Sequence, residues 1–237
     1  MSLAGLADLL SAPSSPVWMA ATLCAYLAAC ALQRLAGYHP VLSPVAVSVA
    51  LIVLLLFLTG TSYDTYARAT RVLQFLLGPA TVALAVPLYA NMVKVRRAIV
   101  PTLAALAAGS ITAVTSAVLI AVWLGAAPET TASLVPKSVT MPIAMAIAGE
   151  IGGLPSLAAA LVMLTGIVGV TVAPVVFKLL RVEDERARGT ALGVAAHAIG
   201  LTQAFQASQV TGTFAGVAMG LTGLLTAITV ALVRVLL

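Results

Sequence analysis

A lysine close to two prolines is the residue in this sequence best suited to bind an anion. Lys137 follows Pro136 in an otherwise apolar stretch, and Ser138, Thr140 and Pro142 come soon after it. A proline removes a backbone donor and clashes with the preceding turn, so the two prolines predict an interrupted helix. A half-helix that starts at such a break offers free N–H groups and the positive end of its dipole. A cation, two hydroxyls and free N–H groups together indicate a carboxylate site.

The position of Lys137 also has a simpler interpretation. A charged side chain near the middle of a membrane span costs roughly 2.5–3.5 kcal/mol on insertion scales, which favours a functional reason for keeping it. Lys137 nevertheless lies only about six residues after the start of its apolar segment. Its long side chain could therefore reach the membrane interface instead. We favour the binding role of the two.

A second group of polar side chains begins at His197. Thr202, Gln206 and Gln209 have the i, i+4, i+7 spacing and would share one face of a continuous helix. His197 would point away from Gln206 unless the helix breaks at Gly200. These side chains either line a transport pathway or hold a helix bundle together through hydrogen bonds between helices. The sequence leaves both interpretations open.

Thr81 and Asn91 lie in a third irregular segment and could line the same cavity from the other side. Gly78, Pro79 and Pro87 interrupt the apolar run here, and each proline predicts a break. Such breaks persist in a membrane only where protein or a water-filled cavity satisfies the freed backbone groups. Taken alone, hydroxyls in a span more often bond to their own helix.

The other conspicuous residues indicate structure rather than catalysis. Glu150 precedes a Gly-Gly turn, and we interpret it as an interfacial acid in preference to a proton-coupling carboxylate. Gly212, Gly216 and Gly220 recur at four-residue spacing, which predicts close packing between helices. The sequence contains no hydrolytic triad, zinc-ligand spacing, phosphate loop or dinucleotide fingerprint, so we expect no enzyme, no metal and no cofactor.

The composition indicates an all-α polytopic integral membrane protein. Hydrophobic residues make up 62% of the 237 residues and charged residues only 8%, whereas soluble domains carry about 25% charged residues. A helix needs roughly 20 apolar residues to cross the hydrocarbon, so about seven or eight hydrophobic helices fit. The net charge of +5 is not arranged as a basic stripe with interleaved aromatics, so we expect no nucleic-acid binding. The apolar segments are residues 17–35, 41–58, 72–93, 99–124, 132–149, 156–179, 189–208 and 212–236.

Two basic segments set the expected topology. Residues 94–97 and 178–188 are rich in Lys and Arg, and we expect both to face the cytoplasm. An even number of crossings must then separate them, but three apolar segments lie between. The segment broken around Pro136 is the natural candidate for a re-entrant or split helix that enters and leaves on one side. Three full crossings with one basic segment outside are the alternative.

A faint internal repeat accompanies the breaks and suggests an inverted repeat. Five positions align with five others at a constant offset of 57: Pro79, Thr81, Val82, Val86 and Gly109 with Pro136, Ser138, Val139, Ile143 and Gly166. Transporters often contain such repeats, with broken helices at equivalent places. Matches of this kind also arise by chance in a chain so rich in Ala, Val and Leu.

Several longer strings resemble one known family. LLGPATVALAVPLY (residues 76–89), LVPKSVTMPIAMAI (134–147), the following IGGLPSLAA and TGIVG, and AHAIGLTQA (196–204) are similar to strings of the LrgB family. That family includes the CidB-type proteins and the C-terminal half of the plant plastidial glycolate/glycerate transporter. The resemblance is strongest over residues 38–230. It implies one LrgB-like transmembrane domain over residues 1–237, in the bacterial cytoplasmic (inner) membrane.

The resemblance implies two alternative functions. One is an antiholin-like modulator of murein hydrolase activity and lysis, acting beside a small LrgA-type membrane partner. The other is a transporter of small monocarboxylates such as pyruvate, lactate, glycolate or glycerate, and the argument from Lys137 favours it. In either case we expect a homo-oligomer in the lipid bilayer. The predicted substrate-binding residues are Lys137, Ser138, Thr140, Thr81, Asn91, His197, Thr202 and Gln206.

The sequence departs from the family pattern after His197. The family usually shows Thr-Ala-Lys/Arg-Ala-x-Glu after the motif His-x2-Gly, whereas residues 201–206 here read Leu-Thr-Gln-Ala-Phe-Gln. The Ser or Thr usual before the histidine is Ala196. If the family's Glu couples protons, Gln206 cannot do so here, which leaves the coupling mechanism and the substrate open.

Overall fold

The computed structural model describes residues 16–37, 42–83 and 85–236, and every regular element among them is a helix. The all-α prediction is therefore confirmed for these residues. The chain divides into two compact units, residues 1–85 and 86–237, which are described separately. The described helices are α1 (Pro16–Leu35), α2 (Pro44–Thr59), α3 (Tyr63–Ala69), α4 (Arg71–Ala83), α5 (Ala85–Ala90), α6 (Met92–Arg97), α7 (Ile99–Trp123), α8 (Pro128–Leu134), α9 (Met141–Glu150), α10 (Pro155–Leu179), α11 (Glu185–Ala207) and α12 (Gln209–Leu236).

The first unit consists of two packed apolar helices followed by a short helix that turns sharply away. α1 and α2 pack against each other, and α3 is bent by 119° from α2. Gly60 ends α2 with φ +64°, the left-handed conformation that glycine adopts without strain. The ring of Tyr66 in α3 packs edge to face with the ring of buried Trp18, with the two centroids 5.6 Å apart. The hydroxyl of Tyr66 lies 3.0 Å from the Oγ1 of Thr22, within hydrogen-bond distance. The polar stretch between the apolar segments 41–58 and 72–93 therefore contains a folded helix that contacts α1.

The third apolar segment is divided, but not at the residues expected. α4 continues through Gly78 and Pro79 to Ala83, and an interruption lies at Asn91, between α5 and α6. A single proline removes one helix hydrogen bond, a loss that membrane helices can accommodate. α5 likewise continues through Pro87 to Ala90. Neither predicted proline break therefore ends a helix.

Four of the described helices are long and apolar enough to cross a membrane, namely α1, α7, α10 and residues Gln209–Ala231 of α12. The number rises to five if α2 and α3 form one bent span. Large apolar side chains along these helices are exposed in the single chain, such as Trp123 at 83% and Leu179 at 78%, as expected where lipid covers them. The expected seven or eight hydrophobic helices overestimate the crossings, because several apolar segments are divided into shorter helices.

The segment around Pro136 enters the second unit and returns. α8 and α9 are separated by a turn over residues 135–140, which confirms the break at Pro136. Ser133 accepts a hydrogen bond from the N–H of Leu154 at 2.8 Å, so the end of the segment comes back beside its beginning. Pro142 lies in the first turn of α9, where proline is tolerated, and does not add a second break. Residues 128–154 are called the first hairpin below.

The segment of residues 185–207 reverses at His197, and the predicted break at Gly200 is wrong. His197 has φ +39° and ψ −125° inside α11. Gly200 lies so close to the carbonyl oxygen of Leu192 that a Cβ there would overlap it, whereas eight residues of straight helix span about 12 Å. Residues 185–196 and 198–207 are therefore antiparallel halves, called the second hairpin below, and Gly200 lets them approach each other.

The three regularly spaced glycines of α12 pack mainly inside the chain. A Cβ on Gly212 would overlap the ring of Phe205, and one on Gly216 would lie 3.6 Å from Leu201, both on the returning half of α11. A Cβ on Gly220 would meet nothing within 4 Å. The predicted close packing of helices is confirmed for the first two glycines. It joins α12 to the second hairpin rather than to another copy of the chain.

The two basic segments lie at the same end of the second unit. Lys94 and Arg97 line one surface cleft together with Asp184 and Arg186. α7 leaves this end and α10 returns to it, and the first hairpin follows α7 at the far end. This is the arrangement that the expected even number of crossings requires, with the first hairpin as the re-entrant segment.

Candidate functional site

The tips of the two hairpins meet against the middle of α10. His197, at the second tip, is 2% exposed. A Cβ on Gly166, one turn along α10, would lie 2.8 Å from His197 Cε1, so only glycine leaves room for the ring. Val139, at the first tip, packs against Val162 of α10 in one cluster of buried residues. Two interruptions that enter from opposite ends therefore converge at one place.

Lys137 and Ser138 line a cleft of about 570 Å³ whose other walls are largely apolar. The Nζ of Lys137 donates a hydrogen bond to the Oγ of Ser138 at 3.3 Å, and Ser138 is buried while Lys137 is half-buried. Thr165 of α10 adds a third polar side chain. Among the described residues, no carboxylate lines this cleft. The ammonium charge is thus held in apolar surroundings without an acidic partner there.

Two half-helices begin at the hairpin tips. α9 starts after Thr140, whose side chain makes no capping hydrogen bond, so the first-turn N–H groups lack a side-chain acceptor from this residue. The returning half of α11 starts after His197. The N-terminus of each half-helix carries partial positive charge. An ammonium, hydroxyls and helix N-termini together favour a small anion with hydrogen-bond acceptors, which describes a carboxylate.

His197 is strained and incompletely paired. Its Nε2 is buried with no hydrogen-bond partner in the protein, and its φ of +39° is rare for a residue with a side chain. In the neutral tautomer that carries its proton on Nδ1, Nε2 is a hydrogen-bond acceptor. Strained conformations of this kind cluster at functional sites. The hydroxyl group of a ligand is one donor from which this nitrogen could accept a hydrogen bond.

Asn91 connects helices at another place in the second unit. Its Nδ2 donates to the carbonyl of Pro87 at 3.0 Å and to the Oγ1 of Thr213 at 3.2 Å, which ties the α5–α6 junction to α12. Asn91 does not line the cleft that contains Lys137. Thr81 belongs to the residues whose side chains the structure does not describe, so its place in the site stays a prediction.

The polar stripe predicted after His197 is not a single helix face. Ser208, with φ −166° and ψ 162°, ends α11, so Gln209 belongs to the next helix and the predicted stripe is wrong at that point. Gln206 is exposed near the end of α11. Thr202 donates its Oγ1 proton to the carbonyl of Ala198 at 3.2 Å, within its own helix turn. None of these three side chains lines the cleft of Lys137.

The sequence analysis assigns no site role to two residues of this region. Thr165 lines the cleft of Lys137, and Gly166 lies against His197, both on α10. The signals that indicate them are the string TGIVG of the family resemblance and, for Gly166, its position in the faint internal repeat. Among the described residues, no three His, Cys, Asp or Glu side chains come close enough together to hold a metal ion.

The start of the second hairpin is held by an exposed ion pair. Asp184 caps α11 by accepting from the backbone N–H of Arg186 at 2.8 Å, and its carboxylate also receives the guanidinium of that residue. The Arg186 side-chain hydrogen bond is the largest cause that lowers the pKa of Asp184 to about 2, and the same contact raises the pKa of Arg186. A negative charge at a helix N-terminus is also favoured by the helix dipole.

Comparison with known proteins identifies one matching family model and several related sequences. The model of the LrgB-like family matches residues 22–236. The Bacillus subtilis protein YwbG is 40% identical over 184 residues, which is 78% of this chain and 82% of that protein. A Haemophilus influenzae protein is 32% identical over 181 residues, 76% of this chain and 78% of its own. The antiholin-like protein LrgB of Bacillus mycoides is 28% identical over 188 residues, 79% and 82% respectively. No solved structure matches.

Proposed function

This chain belongs to the LrgB-like family, and we propose that it is a secondary transporter or facilitator of small monocarboxylates of the glycolate, glycerate, pyruvate or lactate type. The observation that carries the proposal is the half-buried ammonium of Lys137, bonded to Ser138 in a largely apolar cleft. Neither His197 nor Thr140 lines this cleft. The proposed transport takes place across the bacterial cytoplasmic membrane.

The electrostatics of Lys137 support an anionic ligand. Removing a charge from water is costly unless a partner of opposite sign replaces the lost solvation. No carboxylate among the described residues lines the cleft around Lys137. A bound carboxylate would supply the opposite charge, and release of that carboxylate would restore the starting state. Reversible neutralisation of this kind is what a carrier requires.

The architecture supports transport independently of the lysine. Secondary transporters place their sites near the bilayer midplane at discontinuous helices, whose half-helix N-termini point at anionic groups of the substrate. Here the two hairpins enter from opposite ends and their tips meet on α10. In the proposed complex, Lys137, Ser138 and the amides after Thr140 bind the carboxylate. The Nε2 of His197 accepts a hydrogen bond from a hydroxyl of the substrate.

Uptake of labelled glycolate into proteoliposomes tests the proposal. We expect Lys137→Gln to lower kcat/KM by about 10- to 100-fold, because a hydrogen bond to a charged group contributes about 1.5–3 kcal/mol. Lys94→Gln removes a positive charge from an exposed position outside the cleft and is the matched control, with uptake expected within twofold of the wild type. Full uptake by a correctly inserted Lys137→Gln variant would remove the basis of the proposal.

A second candidate function comes from the relatives. The proteins of Bacillus mycoides and Bacillus cereus at 28% identity bear the name antiholin-like protein LrgB. That name supports an antiholin-like role, modulating murein hydrolase activity and lysis with an LrgA-like partner, more directly than it supports transport. Co-purification with such a partner and altered lysis timing, both unaffected by Lys137→Gln, would favour this role. Glycolate uptake by the chain alone would favour the carrier.

A further inference from the structure

A second cleft lies at the basic end of the second unit, where α10 ends and α11 begins. Its volume is about 430 Å³, and its charged lining consists of Lys178, Arg181, Arg188 and Glu183. Three cations and one anion leave a net charge of +2 on these walls, from 3 − 1. Lys137 does not line it. The cleft is therefore a separate concave surface with an excess of positive charge.

The turn after α10 and the ring of Phe177 hold one of these cations, Arg188, in place. Arg181 adopts φ +53° just after α10, and Val182 donates its N–H to the carbonyl of Phe177 at 2.9 Å, which closes the helix end. Arg188 donates its Nε–H to the carbonyl of Val182 at 2.6 Å and lies over the ring of Phe177, 5.8 Å from its centroid. The turn and the ring together orient the guanidinium of Arg188 before any ligand arrives.

The same cleft contains an unpaired acceptor. Gln203 lies on the returning half of α11 and lines the cleft, and its Oε1 is buried without a hydrogen-bond partner in the protein. A buried acceptor without a donor is unfavourable, so a ligand that brings a hydroxyl would remove that cost. Cations and an acceptor on the same walls match a molecule with both a carboxylate and a hydroxyl group.

The two clefts share a wall. Ala173, Phe177 and Leu192 line both the cleft at the basic end and the cleft that contains Lys137. All three are apolar, so an anion held by the outer cations is separated from the inner ammonium by a thin hydrophobic layer. These apolar residues lie between the two clefts, in the position of a barrier between an outer and an inner site.

We propose that the cleft of Lys178, Arg181, Arg188 and Gln203 is a second, outer binding site for small hydroxycarboxylates. The cations bind the carboxylate, and the Oε1 of Gln203 accepts a hydrogen bond from the hydroxyl group. The binding itself stands without the carrier, whereas onward passage past Phe177 to Lys137 rests on the proposed transport function. This outer site would deliver substrate to the inner site from the basic end of the second unit.

Equilibrium binding of labelled glycolate and labelled acetate to the purified full chain tests the outer site. The Lys137→Gln variant serves as the background, because it weakens the inner site. In that background, Lys178→Gln with Arg181→Gln should weaken glycolate binding about tenfold, the effect of losing one charged hydrogen bond. Both side chains are exposed, so folding should tolerate the changes. Lys94→Gln with Arg96→Gln removes the same charge outside the cleft and should change binding less than twofold.

Gln203→Leu tests the hydroxyl contact. Acetate lacks the hydroxyl, so this variant should lower the preference for glycolate over acetate about fivefold while acetate binding stays the same. An unchanged preference would overturn the role of Gln203.

The outcomes separate the outer site from the transport proposal. Glycolate binding that Lys137→Gln alone abolishes would overturn the outer site and leave the carrier intact. Equal weakening by the two pairs of charge changes would indicate general surface electrostatics and would also overturn it. Binding that depends on Lys178 and Arg181 in a protein without glycolate uptake would support the outer site and count against the carrier.

Discussion

Replacing Gly200 with alanine has opposite effects in a continuous helix and in a helix that reverses at His197. In a continuous helix, alanine is favoured over glycine by about 1 kcal/mol. In the second hairpin, the new Cβ overlaps the carbonyl oxygen of Leu192 and lies 2.8 Å from the Cβ of Ala196. A backbone carbonyl cannot rotate aside, so the two halves must separate. Overpacking of this kind typically costs about 1–3 kcal/mol.

Gly220→Ala is the matched comparison, because Gly220 is also helical but its new Cβ meets nothing within 4 Å. We expect Gly220→Ala to leave the free energy of unfolding unchanged or to raise it by up to about 1 kcal/mol. The free energy of unfolding of Gly200→Ala should be roughly 1–4 kcal/mol lower than that of Gly220→Ala. Reversible unfolding in mixed detergent micelles measures the difference. If Gly200→Ala proves as stable as Gly220→Ala, the reversal at His197 is refuted, and with it the meeting of the hairpin tips.

Three further predictions concern the hairpins. Ser133→Ala should destabilise the protein by about 0.5–1.5 kcal/mol in the same unfolding assay, because it removes the partly buried hydrogen bond that the N–H of Leu154 donates to Ser133. His197→Gly should be more stable than His197→Ala by about 1 kcal/mol, since glycine relieves the positive φ, while both variants lose glycolate uptake. The pKa of Asp184 is lowered from 3.8 to about 2, so its ionised form stabilises the folded chain above pH 3.8 and this contribution disappears as the pH falls through 2. Wild type should therefore exceed Asp184→Asn in stability at pH 5, and the two should converge near pH 2.

The first hairpin could be predicted because its signals are local. Pro136 lacks an N–H and its ring clashes with the preceding turn, so it favours a break in a helix, although α4 and α10 continue through Pro79 and Pro174. The count of basic segments then required one of the three apolar segments to return to its own side. Two arguments that use only neighbouring residues and charge therefore placed Lys137 at a tip.

The second hairpin could not be predicted in the same way because its cause is tertiary. His197 is neither a glycine nor a proline, and nothing in its neighbours forces a positive φ. The reversal depends on the absence of a side chain at Gly200, which permits contact with Leu192, and at Gly166, which makes room for the imidazole. A glycine within an apolar helix predicts flexibility or close packing equally well, so the sequence pointed to Gly200 and the chain turns three residues earlier.

The two hairpin tips differ in what shapes their backbone, and this difference predicts which of them changes conformation when a ligand binds. The tip at Lys137 is shaped by a proline that constrains the backbone whatever surrounds it. The tip at His197 keeps an unfavourable φ, which costs of order 1–3 kcal/mol and persists only while the surrounding contacts enforce it. Gly166 of α10 supplies one of those contacts. A ligand shifts an equilibrium only by its differential affinity for the two states, and a hydroxyl bonded to His197 Nε2 acts on this tip directly. We therefore expect the second hairpin to change conformation on binding, while the first holds the ammonium in place.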